Sequence, residues 1–145
     1  MKDTLIAETS ISIDASPAQV WKALTTPTLI KKYLMGTDVS TDWKEGSAIT
    51  YKGEHQGKKY HDKGIIKKIE PEKVFQSTYL SSMSGKEDKP ENYNLVTYKL
   101  NKSDGKTVVT LSQDKNATEK EKEHSTENWK MVLKKLKEVV ESEKH

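Results

Sequence analysis

The last 28 residues constrain the fold more than any other stretch: Thr118 to His145, TEKEKEHSTENWKMVLKKLKEVVESEKH. Trp129, Val132, Leu133, Leu136, Val139 and Val140 recur at spacings of three and four. On a helix of 3.6 residues per turn they occupy one arc of about 120°. Thr118 and Glu121 form the pattern of a capping box at its start. About 25 residues at about 1.5 Å each give a rod of nearly ~40 Å, long enough to cross a whole sheet. The stripe stops at Trp129 going upstream, where Ser125 and then Lys122 take over the same face. Residues 129–140 therefore read as a buried anchor. Residues 118–128 are polar all round and either overhang in solvent or border a partly open space, beside which the entrance to any internal site is expected.

The rest of the chain reads as short elements that need such a helix to close on. Residues 4–14 alternate, with Leu5, Ala7, Thr9, Ile11 and Ile13 on one side, as in a half-buried strand. Ser16-Pro17-Ala18-Gln19 starts a short helix, with Ser16 as N-cap, proline at the first position and Gln19 completing a capping box. Thr26-Pro27 repeats the signal for a second helix through Leu29, Ile30, Tyr33 and Leu34, with Gly36 as its stop. Strands then follow around Val39, from Ala48 to Glu54, Tyr60 to Glu70, Val74 to Leu80, Tyr93 to Asn101 and Lys106 to Asp114. Lys44-Glu45-Gly46, Gln56-Gly57-Lys58 and Pro71-Glu72-Lys73 are turns, residues 81–92 are a polar loop, and the alternation slips at Gly64-Ile65-Ile66 as in a bulge. Ser103-Asp104-Gly105 is a hairpin signal. Short turns between consecutive strands make the sheet antiparallel, and one of its faces must be covered. Only the last helix is long enough to do it. The result is an α+β domain: a curved antiparallel sheet of about six to seven strands around a long C-terminal helix, with two short helices after the first strand.

The 145 residues make one ordinary domain, 1–145, large enough for a core without staples. No cysteine is present, which excludes disulfides, thiol nucleophiles and cysteine-ligated metals. The net charge of +3 comes from lysines spread among acids, as in Lys86-Glu87-Asp88-Lys89, without the basic cluster and interleaved aromatics of a nucleic-acid binder. No stretch reaches the ~20 apolar residues of a membrane span, and the N-terminus lacks the apolar block of a signal peptide. A cytoplasmic protein, not inserted in a membrane, is expected.

Several segments together resemble a known family. They are IDASPAQVWKALTTPTLIKKYL (13–34), the Gly46 turn, GIIKKIEPEKVFQSTYL (64–80), LVTYKL…DGKTVVTL (95–111) and ENWKMVLKKLKEVVE (127–141). The chain resembles the activator-of-Hsp90-ATPase homologue (AHSA) family, within the START-like, or SRPBCC, helix-grip superfamily. The resemblance spans nearly the whole chain. Its most specific pieces are the run A-x-P-x-x-V-W-x-A-L-T-x-P and the late N-W-x-x-x-L-x-x-L. Two positions depart from it: Tyr33 stands where relatives often carry Trp, and Asn128 precedes Trp129 where many carry Gly. The resemblance implies a helix-grip fold with a cavity between the long helix and the concave sheet face. Relatives hold lipids, sterols, polyketides or plant hormones there. It also implies a chaperone as an alternative partner, with a place in the stress response, although the length leaves no room for the second domain of the eukaryotic co-chaperone.

Inward strand positions and the helix face define the candidate ligand-binding wall: Ile49, Tyr51, Phe75, Tyr79, Tyr98, Val109, Leu111, Trp129, Val132, Leu133 and Leu136, with Tyr33 and Leu34 at the mouth and Ser125 above. Tyrosines suit a site that is apolar with a few polar handles, and the plain alternative for each residue is ordinary core. Gln113 is the lone polar side chain expected to face the helix, either to orient a ligand or to end its strand in water. His55 and His61 flank a turn beside Glu54 and Asp62, but their spacing matches no zinc pattern, and no metal or cofactor is expected. No Ser–His–acid order, phosphate loop or helical His pair occurs, and the inward positions carry almost no carboxylates. No catalytic residue is assigned. The expected function is binding of a small hydrophobic molecule. A co-chaperone-like interaction module is the alternative, and an enzyme working inside the cavity is the weaker third.

Overall fold

In the computed structural model, the described residues are 5–34, 36–55, 57–81, 87–116 and 118–142. The expectations for Thr4, Gln56, residues 82–86 and the end of the last helix with His145 lie outside them, as does the His55 side chain.

Strand β1 (Leu5–Ile13) buries Ala7 and Ile13 and leaves the alternate side to solvent. Helix α1 (Pro17–Thr25) opens on the expected box. The Ser16 hydroxyl accepts from the Gln19 N–H at 3.2 Å, and the Ser16 N–H donates to Gln19 Oε1 at 3.0 Å. Two of the donors that a helix start leaves orphaned are thereby satisfied. Helix α2 (Pro27–Tyr33) buries Leu29, Ile30 and Tyr33. Then come β2 (Asp38–Thr41), β3 (Ala48–His55), β4 (Lys58–Glu70), β5 (Val74–Tyr79), β6 (Asn94–Ser103), β7 (Lys106–Asn116) and α3 (Glu119–Ser142). Strands β4, β6 and β7 each run past the limits expected from the sequence, because ladder pairing continues where side-chain alternation has faded. Asp104 and Gly105 both have positive φ, 50° and 79°, the mirror-image turn that a two-residue hairpin requires.

The seven strands form one antiparallel sheet in the order β1-β7-β6-β5-β4-β3-β2. Its register shifts between Ile66 and Lys68, just after the expected slip. Gly64 explains why the alternation breaks nearby: a Cβ there would lie 1.7 Å from the Thr78 carbonyl oxygen. The two strands close together only without a side chain at that point.

Helix α3 crosses the concave face. Val132, Leu133, Leu136 and Val140 are buried, Trp129 and Val139 half-buried. A fully buried leucine contributes about 1.5–3 kcal/mol relative to an exposed one, and Leu136 has no exposed surface. The helix packs on β1 and β7 and against α1 and α2. Its C-terminal end is tied down as well: Lys137 Nζ donates to the Ser12 carbonyl at 3.0 Å, and the Glu141 carboxylate accepts from the Asp14 N–H at 2.9 Å.

Most of the polar half is exposed, as one expectation had it, and Asn128 borders an open space, as the other did; Ser125 fits neither. The Ser125 hydroxyl donates to Asn116 Oδ1 at 2.8 Å, and the Asn116 amide donates to the carbonyls of Leu5 and Gln113 at 3.0 Å each. Ser125 thus neither overhangs nor borders a void. It docks the helix onto the end of β7 through a satisfied polar contact, because the sheet offers a buried asparagine there.

Candidate functional site

Where α3 leans toward β1 and β7, space stays open on the other side, over β3, β4 and β5. It forms a cavity of about 450 Å³. From the helix come Asn128, Trp129, Met131 and Val132; from the segment after α2, Leu34 and Thr37; from the sheet, Tyr51, Glu54, Tyr60, Asp62, Ser77, Tyr79, Val96 and Tyr98, with Ser81 just beyond β5. Helix residues before Asn128 do not reach it, since Ser125 is engaged with Asn116.

The wall has two characters. Leu34, Val96, Val132, Met131 and the ring of Trp129 make one side apolar. The sheet side is polar and aromatic. The Tyr51 and Tyr79 rings meet edge to face, with centroids 5.5 Å apart at 75°. The Tyr79 hydroxyl donates to the Asp62 carboxylate, and Asp62 is only 6% exposed. The Thr37 and Tyr60 hydroxyls share a hydrogen bond of 2.6 Å.

Tyr51, Tyr79 and Tyr98 hold their protons. Burial pushes the Tyr51 hydroxyl up to about 12, against a partly offsetting hydrogen bond with Ser77 and a further rise from the Asp62 charge. Burial raises Tyr79 and Tyr98 further still, with Asp62 adding to the rise at Tyr79 and Tyr51 adding to that at Tyr98. A charged phenolate is disfavoured where water is excluded, and a neighbouring carboxylate adds to that cost. At neutral pH the site therefore presents the neutral hydroxyls of these three tyrosines, with the side chains of Asp62 and Glu54 on the same wall, an arrangement suited to orienting a ligand.

Of the residues named from the sequence, Leu34, Tyr51, Tyr79, Tyr98, Trp129 and Val132 line the cavity. Tyr33, Ile49, Phe75, Val109, Leu111, Leu133 and Leu136 are buried in the core behind it. Gln113 faces the helix, where its side-chain oxygen accepts from the Trp129 indole N–H at 2.8 Å and so fixes that ring. Ser125 lies a turn further along the same seam.

The expectation of almost no inward carboxylate is corrected by Asp62. Tyr60, Asp62, Gly64 and Ile66 share one face of β4, and burial follows that parity. Counting back in twos from Ile66 would have found Asp62 and Tyr60, but Gly64 interrupts the apolar signal. Ser77 was legible in the same way, between Phe75 and Tyr79 on β5. His61 points to the opposite, exposed face from Asp62 and pairs across the ladder with Lys52, while His55 pairs with Lys58. The two histidines do not sit opposite each other, and the described residues contain no cluster of three metal-binding side chains. No helix among them is long and apolar enough to cross a membrane.

The family described as "Activator of Hsp90 ATPase homolog 1-like protein" matches residues 14–141. The solution structure of ChR145 from Cytophaga hutchinsonii is 44% identical, with a TM-score of 0.85 over 99% of this chain and 98% of that one. The solution structure of the Aha1 dimer from Colwellia psychrerythraea is 24% identical, with a TM-score of 0.73 over 97% and 98% of the two chains. Ara h 8.0201, 14% identical, has a TM-score of 0.75 over 96% and 99%. These last two show the shared fold. No curated protein matches the sequence.

Proposed function

The chain belongs to the activator of Hsp90 ATPase homolog 1-like family, and from that premise we propose that residues 1–145 work as one helix-grip domain binding a small hydrophobic or aromatic molecule. The cavity under α3 is the observation that carries this reading. Its volume of about 450 Å³ falls within the ~300–1,000 Å³ of ligand pockets, and its apolar wall with a few convergent polar groups is the usual makeup of such sites. A cytoplasmic setting accords with it.

A thermal-shift screen with fatty acids, sterols and flavonoids tests the proposal. A ligand at a hundred times its Kd stabilises the fold by about 2.7 kcal/mol. If no compound raises the melting temperature and none perturbs Trp129 fluorescence, the reading fails.

A second reading, a module that engages an acidic protein such as a chaperone, rests on a different surface. A cleft around the β4–β5 turn is lined by Lys68, Lys73, Lys99 and Lys102, with Glu70 and Glu72 among them. Binding there would weaken as salt rises. A pull-down with the host's own chaperone, at low and high salt, decides it; capture insensitive to salt or to charge reversal at these lysines would count against it.

A further inference from the structure

We infer that Tyr60 sets the length of molecule the cavity accepts, as a stop at the β3–β4 hairpin end, and that Gly53 is the residue that lets its ring lie there. The inference rests on the ligand-binding reading above and narrows it to one specificity-determining position.

Strand register brings the parts together. Tyr60 on β4 pairs with Gly53 on β3. Asp38, which opens β2, pairs with Lys52, so Thr37 just before it stands beside Gly53. Tyr60, Gly53 and Thr37 therefore make one row across the sheet, and Asp62, Tyr51 and Val39 make the next row away from the hairpin.

A side chain in the middle of that first row would hold its two ends apart, and Gly53 has none. A Cβ built there would lie 2.5 Å from Tyr60 Cζ and closer still to the hydroxyl. The far end of the ring thus rests directly on the Gly53 backbone, the close approach that a glycine in a strand permits. From there the Tyr60 hydroxyl meets Thr37 Oγ1 at 2.6 Å. The Thr37 hydroxyl gives its one proton to the Leu34 carbonyl at 2.8 Å, so Tyr60 is the donor in the pair. This relay ties β4 to the end of α2 across β3.

Tyr60, Thr37 and Leu34 all line the cavity. Thr37 is buried and Tyr60 half-buried. The ring is anchored at its stem by the strand and at its hydroxyl by Thr37, so it stands as a fixed part of the wall. A ligand that extends from Tyr98 toward the hairpin meets it.

Isothermal calorimetry with the straight-chain primary alcohols from butanol to dodecanol tests this, since they are uncharged and differ only in length. In the wild-type protein each added carbon should raise affinity about fourfold until the chain reaches Tyr60, and longer alcohols should gain nothing. In Tyr60→Ala the rise should continue, so that the first alcohol past the wild-type limit gains about fourfold while the short ones stay within about twofold. Gly53→Ala should displace the ring and shift the limit. Combining Gly53→Ala with Tyr60→Ala should reproduce Tyr60→Ala alone, because the glycine acts only through the ring. The wild-type limit and its shift in Gly53→Ala decide the matter even if Tyr60→Ala folds poorly. An unbroken rise to dodecanol in the wild-type protein, or one limit shared by all variants, overturns the stop and leaves ligand binding standing. If no alcohol binds, the stop falls, and the thermal-shift screen decides ligand binding separately.

Discussion

The two sides of α3 face the same sheet and have opposite surroundings. Toward β1 and β7, Val109, Leu111, Leu133 and Leu136 close with at most 1% exposure. Toward β3, β4 and β5, tyrosines, Ser77 and Asp62 look across an open space of about 450 Å³. What separates the two sides is the tilt of one helix, pinned to β7 by Ser125–Asn116 and to β1 by Lys137–Ser12. A sheet this wide is not covered by one helix. The part left uncovered is also where the sequence places polar groups, so the cavity is a property of both geometry and composition.

Truncation should separate the two sides most sharply. Leu136→Ala on the packed side is expected to cost about 2–5 kcal/mol, as filled cores do. Val132→Ala, which borders the cavity, should cost clearly less, since its neighbours already face open space. Urea denaturation of both variants measures this, and equal losses would break the comparison.

Alkali should act on the open side. The folded-state pKa values of Tyr51, Tyr79 and Tyr98 are raised, Tyr51 to about 12, while the unfolded chain releases these protons near its ordinary value of about 10. The contribution is full below about pH 10 and is lost as pH rises through the interval to the folded values, at about 1.4 kcal/mol per pH unit for each tyrosine. Unfolding midpoints followed alongside tyrosinate absorbance check this. A flat profile above that point would mean the cavity is well hydrated.

The smallest effect concerns the boundary. Trp129→Phe removes the donor to Gln113 and should cost about 1 kcal/mol. A double-mutant cycle with Gln113→Ala should recover a similar coupling. No coupling would mean that the ring is held by packing alone.

Periodicity made much of the fold legible. The α3 stripe, the Ser16 cap and the Asp104-Gly105 turn follow from local rules and hold in the structure. The site was harder. Side-chain class could nominate inward aromatics, but whether each meets a neighbour or a void depends on where the helix leans, which no local pattern encodes. Phe75 and Tyr98 show the limit: their rings pack 6.2 Å apart, and only Tyr98 also lines the cavity. Asp62 was hidden for a different reason, the glycine beside it.

That glycine has a consequence for descent. With 1.7 Å between a Cβ at position 64 and the Thr78 carbonyl oxygen, no other residue fits unless β4 and β5 separate. Such a step would carry Asp62 away from Tyr79, its partner on the neighbouring strand. Mutational drift at this one codon is therefore coupled to the carboxylate two residues away. A lineage that keeps the acid should keep the glycine, and one that has lost the acid is free to lose both.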